Sequence, residues 1–239
     1  METDTAESAI DSSDSAEAEG DMMMASVDGA DVVGIVAATP DQVAARIAAN
    51  LVARWNPRAC ATIAQSGATI TATYTDCTGP RGLVHVSGQL VLVVSVSGAG
   101  AISVQGTSDD LQVNGASLVV DATALYSSSG TSHSLAVTTH GSGTGPRGLD
   151  IVHDGDYTLA WDTATQCHTL DGNWSTEIGA ASRSTQASLH RCVGQCPSGT
   201  VTRKLRTGAT LTVTFDGQGT ATWSSTAGRS GTVTLACAR

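Results

Sequence analysis

His153, Asp154 and Asp156 form the densest run of groups in this chain able to hold a cation or move a proton. Two carboxylates one residue apart, beside an imidazole and flanking Gly155, read as a polar glycine turn. Such a turn could offer carboxylate and carbonyl oxygens to Ca²⁺. Asp154 and Asp156 are therefore the candidate metal ligands, although two carboxylates fall well short of an EF-hand loop, and a solvated hairpin turn is the ordinary alternative. His168 follows Cys167, but nothing nearby supplies two further ligands at metal spacing. Asp109-Asp110 reads as another turn. Trp161, Trp174 and Trp223 could stack on the apolar face of a sugar, though in alternating strands they would equally serve as core. Serine is so common that a Ser–His–Asp combination carries no information without geometry. No HExxH, GxSxG, phosphate loop or dinucleotide fingerprint is present, so catalytic residues are not assigned.

The six cysteines are Cys60, Cys77, Cys167, Cys192, Cys196 and Cys237. Their even number, with none in the first 31 residues, points to disulfides and an oxidising compartment. Among about fifteen connectivities, the expected one joins Cys60 to Cys77 across a hairpin and Cys196 to Cys237 across the last sheet segment. Cys167 is then left with Cys192. A zinc site would need close ligand pairs, and only Cys192 and Cys196 are near in sequence. A redox CxxC is absent.

Charge divides the chain. Residues 1–31 hold ten Asp or Glu and no Lys or Arg. Residues 32–239 hold twelve acids and twelve bases, so the net charge of -10 belongs to the leader. The leader reads as disordered and the rest as one β-rich, disulfide-stapled domain. The densest basic run, Arg203-Lys204-Arg206, suits a solvated strand face, and no basic patch argues for nucleic acid. No apolar run is long enough for a transmembrane span. Met1 is followed by acids rather than a basic and then apolar signal. With the cysteines oxidised, an export signal or lipid anchor is expected upstream of the chain given, the leader acting as a tether. The corresponding locations are extracellular or cell envelope, either periplasm or outer surface.

The elements that must position these residues are mostly strands. One helix is signalled by Thr39-Pro40-Asp41-Gln42, a capping box with a first-turn proline. Val43, Ile47, Leu51 and Trp55 then recur every fourth residue until Asn56-Pro57 stops the helix. Beyond Pro57 the period is two. Thirteen strands are predicted, at 69–75, 83–86, 90–96, 101–105, 117–122, 134–139, 156–161, 174–178, 187–191, 201–205, 209–215, 219–223 and 232–237. Asn114-Gly115 and Asp216-Gly217 mark tight turns. The segment Thr78-Gly-Pro-Arg-Gly-Leu83 returns as Thr144-Gly-Pro-Arg-Gly-Leu149. Each copy reads as turn, strand, glycine turn, strand, suggesting an internal duplication around 78–96 and 144–161. Arg81 and Arg147 would then occupy matching turns, as packing residues or as a ligand-facing pair. The predicted fold is all-β, an antiparallel sandwich or highly curled sheet with one amphipathic N-terminal helix.

Thr75-Asp-Cys-Thr-Gly-Pro-Arg-Gly-Leu83, Cys167-His-Thr-Leu-Asp-Gly172 and Cys196-Pro-Ser-Gly-Thr-Val201 give the folded part a resemblance to uncharacterised secreted proteins or lipoproteins of the myxobacterial kind. The resemblance implies export and β structure, and it transfers no activity or site residue. The expected function is that of a non-enzymatic envelope or surface protein with a structural or protein-interaction role. Its partners would be envelope proteins or surface polysaccharide. A carbohydrate-binding module and a secreted hydrolase are the alternatives. The first needs exposed tryptophans on one groove, the second a polar cleft with a His–acid pair.

Overall fold

The computed structural model describes residues 39–53, 55–78, 85–97, 101–145, 147–205, 207–235 and 237. The acidic leader, Arg81 and Arg206 lie outside them.

Helix α1 (Pro40–Ala53) begins at the expected cap. The Thr39 N–H donates to Gln42 Oε1 at 3.0 Å, and the Gln42 N–H donates back to Thr39 Oγ1 at 3.4 Å. Two otherwise orphaned backbone donors are thereby satisfied. Val43, Ile47 and Leu51 are buried along one stripe. Trp55 lies beyond the helix, buried with its ring 5.0 Å from that of Tyr74. A short 3₁₀ turn (Arg58–Cys60) leads into the strands.

The strands are β1 (Ala61–Ser66), β2 (Thr69–Thr78), β3 (His85–Val96), β4 (Ile102–Val113), β5 (Ala116–Ser129), β6 (Ser132–Thr144) and β7 (Asp150–Asp162). They continue with β8 (Cys167–Ile178), β9 (Ala181–Cys192), β10 (Ser198–Lys204), β11 (Thr210–Asp216), β12 (Thr220–Ser225) and β13 (Ser230–Thr234). All pair antiparallel in one sheet whose spatial order is the chain order. Among the described residues β1 pairs only with β2 and β13 only with β12, so the ladder does not close. The all-β antiparallel fold with one helix is as expected. Its hydrogen bonding makes one continuous sheet.

Several strands are longer than predicted, because glycines read as turns lie inside them. Gly88 falls within β3, at φ +105, where a Cβ would sit 2.5 Å from the Asp110 carbonyl oxygen. It faces a register shift between β3 and β4, so only a residue without a side chain fits that bulge. Asp109 and Asp110 therefore belong to β4, not to a turn. Gly155 is likewise inside β7. The runs 83–86 and 90–96 merge into β3 where described, and β1 was not anticipated.

The turns follow their residue types. Asn114 and Gly115 both have positive φ (50° and 79°) between Val113 and Ala116, as a two-residue hairpin demands. Around Gly145–Leu149, Gly145 N–H donates to the Leu149 carbonyl and Gly148 N–H to the Gly145 carbonyl. The same pair of bonds closes Leu205–Ala209 and Ser225–Arg229, with Gly208 and Gly228 in the place of Gly148. All three glycines lie at φ between 72° and 82°. The second copy of the repeated sequence thus includes a hairpin turn that recurs elsewhere with different residues, and the turn of the first copy lies outside the described residues.

Alternation sets two faces. One buries Ile70, Val104, Tyr126, Leu135, Val137, Tyr157, Leu170, Val201, Val213 and Phe215 in one apolar cluster with α1. A second cluster gathers Trp55, Cys60, Ala72, Tyr74, Cys77 and Val86 at the N-terminal end. The other face carries mostly Thr, Ser, Asn, Gln and charged residues, with Val93, Val119 and Leu125 exposed among them.

The disulfides are Cys60–Cys77, Cys167–Cys192 and Cys196–Cys237, the expected pairing.

Candidate functional site

An open groove of about 570 Å³ runs across the polar face of β6–β11. Register builds it from two cross-strand rows. In the first, His140 faces Asp154, Asp154 faces Ser175, Ser175 faces Ser184 and Ser184 faces Lys204. In the second, Thr138 faces Asp156, Asp156 faces Asn173, Asn173 faces Gln186 and Gln186 faces Thr202. Opposed side chains on neighbouring strands are close enough to hydrogen-bond to one another or to a shared ligand. The groove therefore offers carboxylate acceptors, amides with both donors and acceptors, hydroxyls and one ammonium.

Within it His140 Nδ1 and Asp154 Oδ1 lie 2.7 Å apart, at hydrogen-bonding distance. Both side chains are 58% exposed, so solvent screens the pair and its net stabilisation is small. No local sequence signal marks this contact, since the partners are fourteen residues apart and only the β6–β7 register joins them. A His–acid pair in a polar cleft is the feature that the hydrolase alternative needs, and the groove holds one. A full Ser–His–Asp triad would further need a hydroxyl facing the second imidazole nitrogen. Ser175 instead lies opposite Asp154, on the side away from His140.

The His153 cluster is divided by the pleat. It belongs to β7, not to a glycine turn. His153 points to the apolar side, where its Nδ1 lies 2.9 Å from Thr176 Oγ1. Asp154 and Asp156 point to the polar side and line the groove. Among the described residues they belong to no group of three metal-ligating side chains. The carboxylates stand on either side of Gly155 in a strand paired along both edges, whose carbonyls are committed to the ladder. They lack the wrapped oxygen shell of a calcium loop.

Trp174 is among the residues lining the groove, but it is buried and no other tryptophan lines the groove beside it, so no stacking platform forms there. Trp174 and Trp223 are buried, and Trp161 packs against the core. Trp174 stacks on Tyr157 with centroids 5.6 Å apart. Trp161 stacks on His133 at 5.3 Å, and the Tyr126 hydroxyl lies 2.8 Å from His133 Nδ1 in the same buried corner. Burial holds the Tyr126 phenol above its ordinary pKa. Trp223 covers Gly231, where any Cβ would meet Trp223 Nε1 at 2.7 Å.

Arg147 is exposed in the turn before β7, while Arg81 lies outside the described residues. Arg203 faces Thr185 on the apolar side and Lys204 faces Ser184 in the groove, so the basic run is split between faces. Partial burial, and then the nearby Arg183, hold the Arg203 guanidinium below its ordinary pKa. His168 lies on β8 opposite Trp161 and Arg191.

One ligand cluster escaped the sequence reading. Sγ of Cys167, Sγ of Cys192 and a ring nitrogen of His190 lie within 4.8 Å of one another. The spacing His190-x-Cys192 was its only local signal, and register supplies Cys167. Among the described residues no helix is long and apolar enough to cross a membrane. No family model matches the chain, and comparison with curated proteins and with solved structures finds no similar protein.

Proposed function

We propose that this is an exported, non-enzymatic envelope or surface protein that acts through contacts made by its polar sheet face. The observation that carries the reading is the coupling of three disulfides to a long meander with one apolar and one polar face. Disulfides at this density belong to oxidising compartments. The polar face supplies hydrogen-bonding groups over many strands. The resemblance to secreted proteins and lipoproteins of the myxobacterial kind points the same way. The test is to isolate the native protein from its source cells, fractionate them, and read the mature N-terminus and thiol state by mass spectrometry. Recovery from the envelope or medium with six oxidised cysteines is the expected result. Recovery from the cytosol with free thiols would refute it.

A second reading, surface polysaccharide as partner, is favoured by the groove. Asn173, Gln186, Asp156 and Lys204 present the planar and charged hydrogen-bonding groups that pair with sugar hydroxyls. Recognition would be polar, with no stacking platform. Titration with soluble envelope polysaccharides should give saturable binding that Asn173→Ala with Gln186→Ala weakens. Equal binding by the double variant would exclude the groove.

We also infer that the sheet bends so that parts of its apolar face cover one another, as in a sandwich. Leu135, Val137 and Tyr157 are at most 1% exposed, although the main packing of α1 is on β1–β3. Iodide should leave most tryptophan emission unquenched, and strong quenching of most of it would refute the arrangement.

A further inference from the structure

We propose that Cys167, Cys192 and His190 form a redox-gated site for zinc, closed while the disulfide is intact and open when it is reduced. The proposal is independent of the function proposed above. Cys167 and Cys192 are directly opposed residues on β8 and β9, 3.9 Å apart at Cα. His190 stands two residues before Cys192, so both side chains project from the same, polar face. Its Nε2 lies 3.8 Å from Cys192 Sγ. A tetrahedral zinc bound at ordinary Zn–S and Zn–N lengths holds a sulfur and a nitrogen about 3.6 Å apart, and two sulfurs about 3.8 Å apart. The sulfur–nitrogen spacing is thus already present. Only the two sulfurs, now bonded, must separate, and rotation about the cysteine side chains can achieve this.

The reaction balances with a small thiol as reductant. Two thiol molecules supply two electrons, the Cys167–Cys192 sulfur–sulfur bond breaks to two cysteine thiols, and the reductant leaves as its own disulfide. Zinc then displaces the two thiol protons and takes two thiolates and the neutral imidazole, with water in the fourth position. Thiolate and imidazole together suit this borderline-soft ion better than calcium or magnesium.

Access separates this bridge from the others. Cys60 and Cys77 are 7% and 0% exposed and belong to a packed apolar cluster. Cys167 and Cys192 are partly exposed at strand ends beside the Thr163–Gln166 turn. Cys196–Cys237 is also partly exposed, but no imidazole joins it in a ligand group among the described residues.

The test uses the full chain, oxidised and after mild treatment with a phosphine reductant. Zn²⁺ is titrated in competition with a chromophoric chelator, and cysteine accessibility is mapped by alkylation and peptide mass spectrometry. Reduced protein should bind one Zn²⁺ per chain at this site, with Cys167 and Cys192 protected from alkylation, and oxidised protein should not. Co²⁺ in place of Zn²⁺ should show thiolate-to-metal absorption. His190→Ala, which keeps the disulfide and so the fold, should weaken binding by at least the roughly 10–100-fold that loss of an outer partner costs a metal site. Equal zinc affinity in His190→Ala, equal binding by the oxidised protein, or protection of Cys196 and Cys237 instead would overturn the proposal. Loss of the sheet's circular dichroism on reduction would overturn it as well.

Discussion

Replacing both cysteines of each bridge by alanine should cost most at Cys60–Cys77, although that bridge closes the shortest loop. The three bridges span 17, 25 and 41 residues. Loop-closure entropy then assigns them about 3, 3.5 and 4 kcal/mol respectively, a spread of only about 1 kcal/mol. Burial reverses the order. Cys77 has no exposed surface and Cys60 little, and both pack with Trp55, Ala72, Tyr74 and Val86. Deleting two buried sulfurs leaves two roughly methylene-sized holes at about 1 kcal/mol each, for a total near 5 kcal/mol. The other four cysteines are partly exposed and add little beyond the entropy. For a domain of this size, 5 kcal/mol lowers Tm by roughly 10–20 °C. Thermal and urea unfolding of the three double variants, without reductant, measures the order directly. If Cys60→Ala with Cys77→Ala is the mildest of the three, packing does not outweigh loop length, and the reasoning fails.

Three further outcomes follow from local contacts. Gly172→Ala should destabilise by about 1–3 kcal/mol in urea unfolding, because its Cβ would lie 2.3 Å from Tyr157 Cβ and 2.8 Å from the Asp156 carbonyl oxygen; a neutral effect would mean the β7–β8 register is wrong. Burial pushes the Tyr74 phenol from 10.0 up to about 12. The unfolded chain ionises first, so this contribution is complete below pH 10 and lost as pH rises to about 12. Tyr74→Phe should flatten that limb of the stability curve, and an unchanged limb would count against burial. The Thr165 backbone N–H, then the Thr131 hydroxyl, hold the Asp162 carboxyl down from 3.8 to about 2. Its contribution is present above pH 3.8 and lost as pH falls to about 2; an NMR titration giving an ordinary carboxylate value would refute the turn geometry.

What could be read in the sequence was whatever rests on neighbours along the chain. The capping box at Thr39 and Gln42 and the turn at Asn114-Gly115 are local chemistry and appear as expected. The cysteine pairing also followed, since a chain of short connections brings successive segments together. Strand length was not readable at Gly88 and Gly155. A glycine that ends a strand and one that admits a neighbouring backbone or ring look alike until the opposing residue is known. Here those residues are Asp110 and Trp174. The same limit applied to the groove. His140 with Asp154, and His190 with Cys167, are joined by register alone, and alternation puts His153 and Asp154 on opposite faces although they are adjacent in sequence.

The strict correspondence between chain order and sheet order bears on how such a protein changes over generations. Each hairpin is bonded only to the strands before and after it, so its loss or tandem copying would leave the remaining ladder connected in the same sense. Folds with crossing connections lack that freedom, because an inserted pair of strands must find a place between partners distant in sequence. A chain of this kind can widen or shrink its polar face two strands at a time. Recurrent five-residue turns with unlike sequences, at 145–149, 205–209 and 225–229, are the traces that repeated hairpin addition followed by divergence would leave.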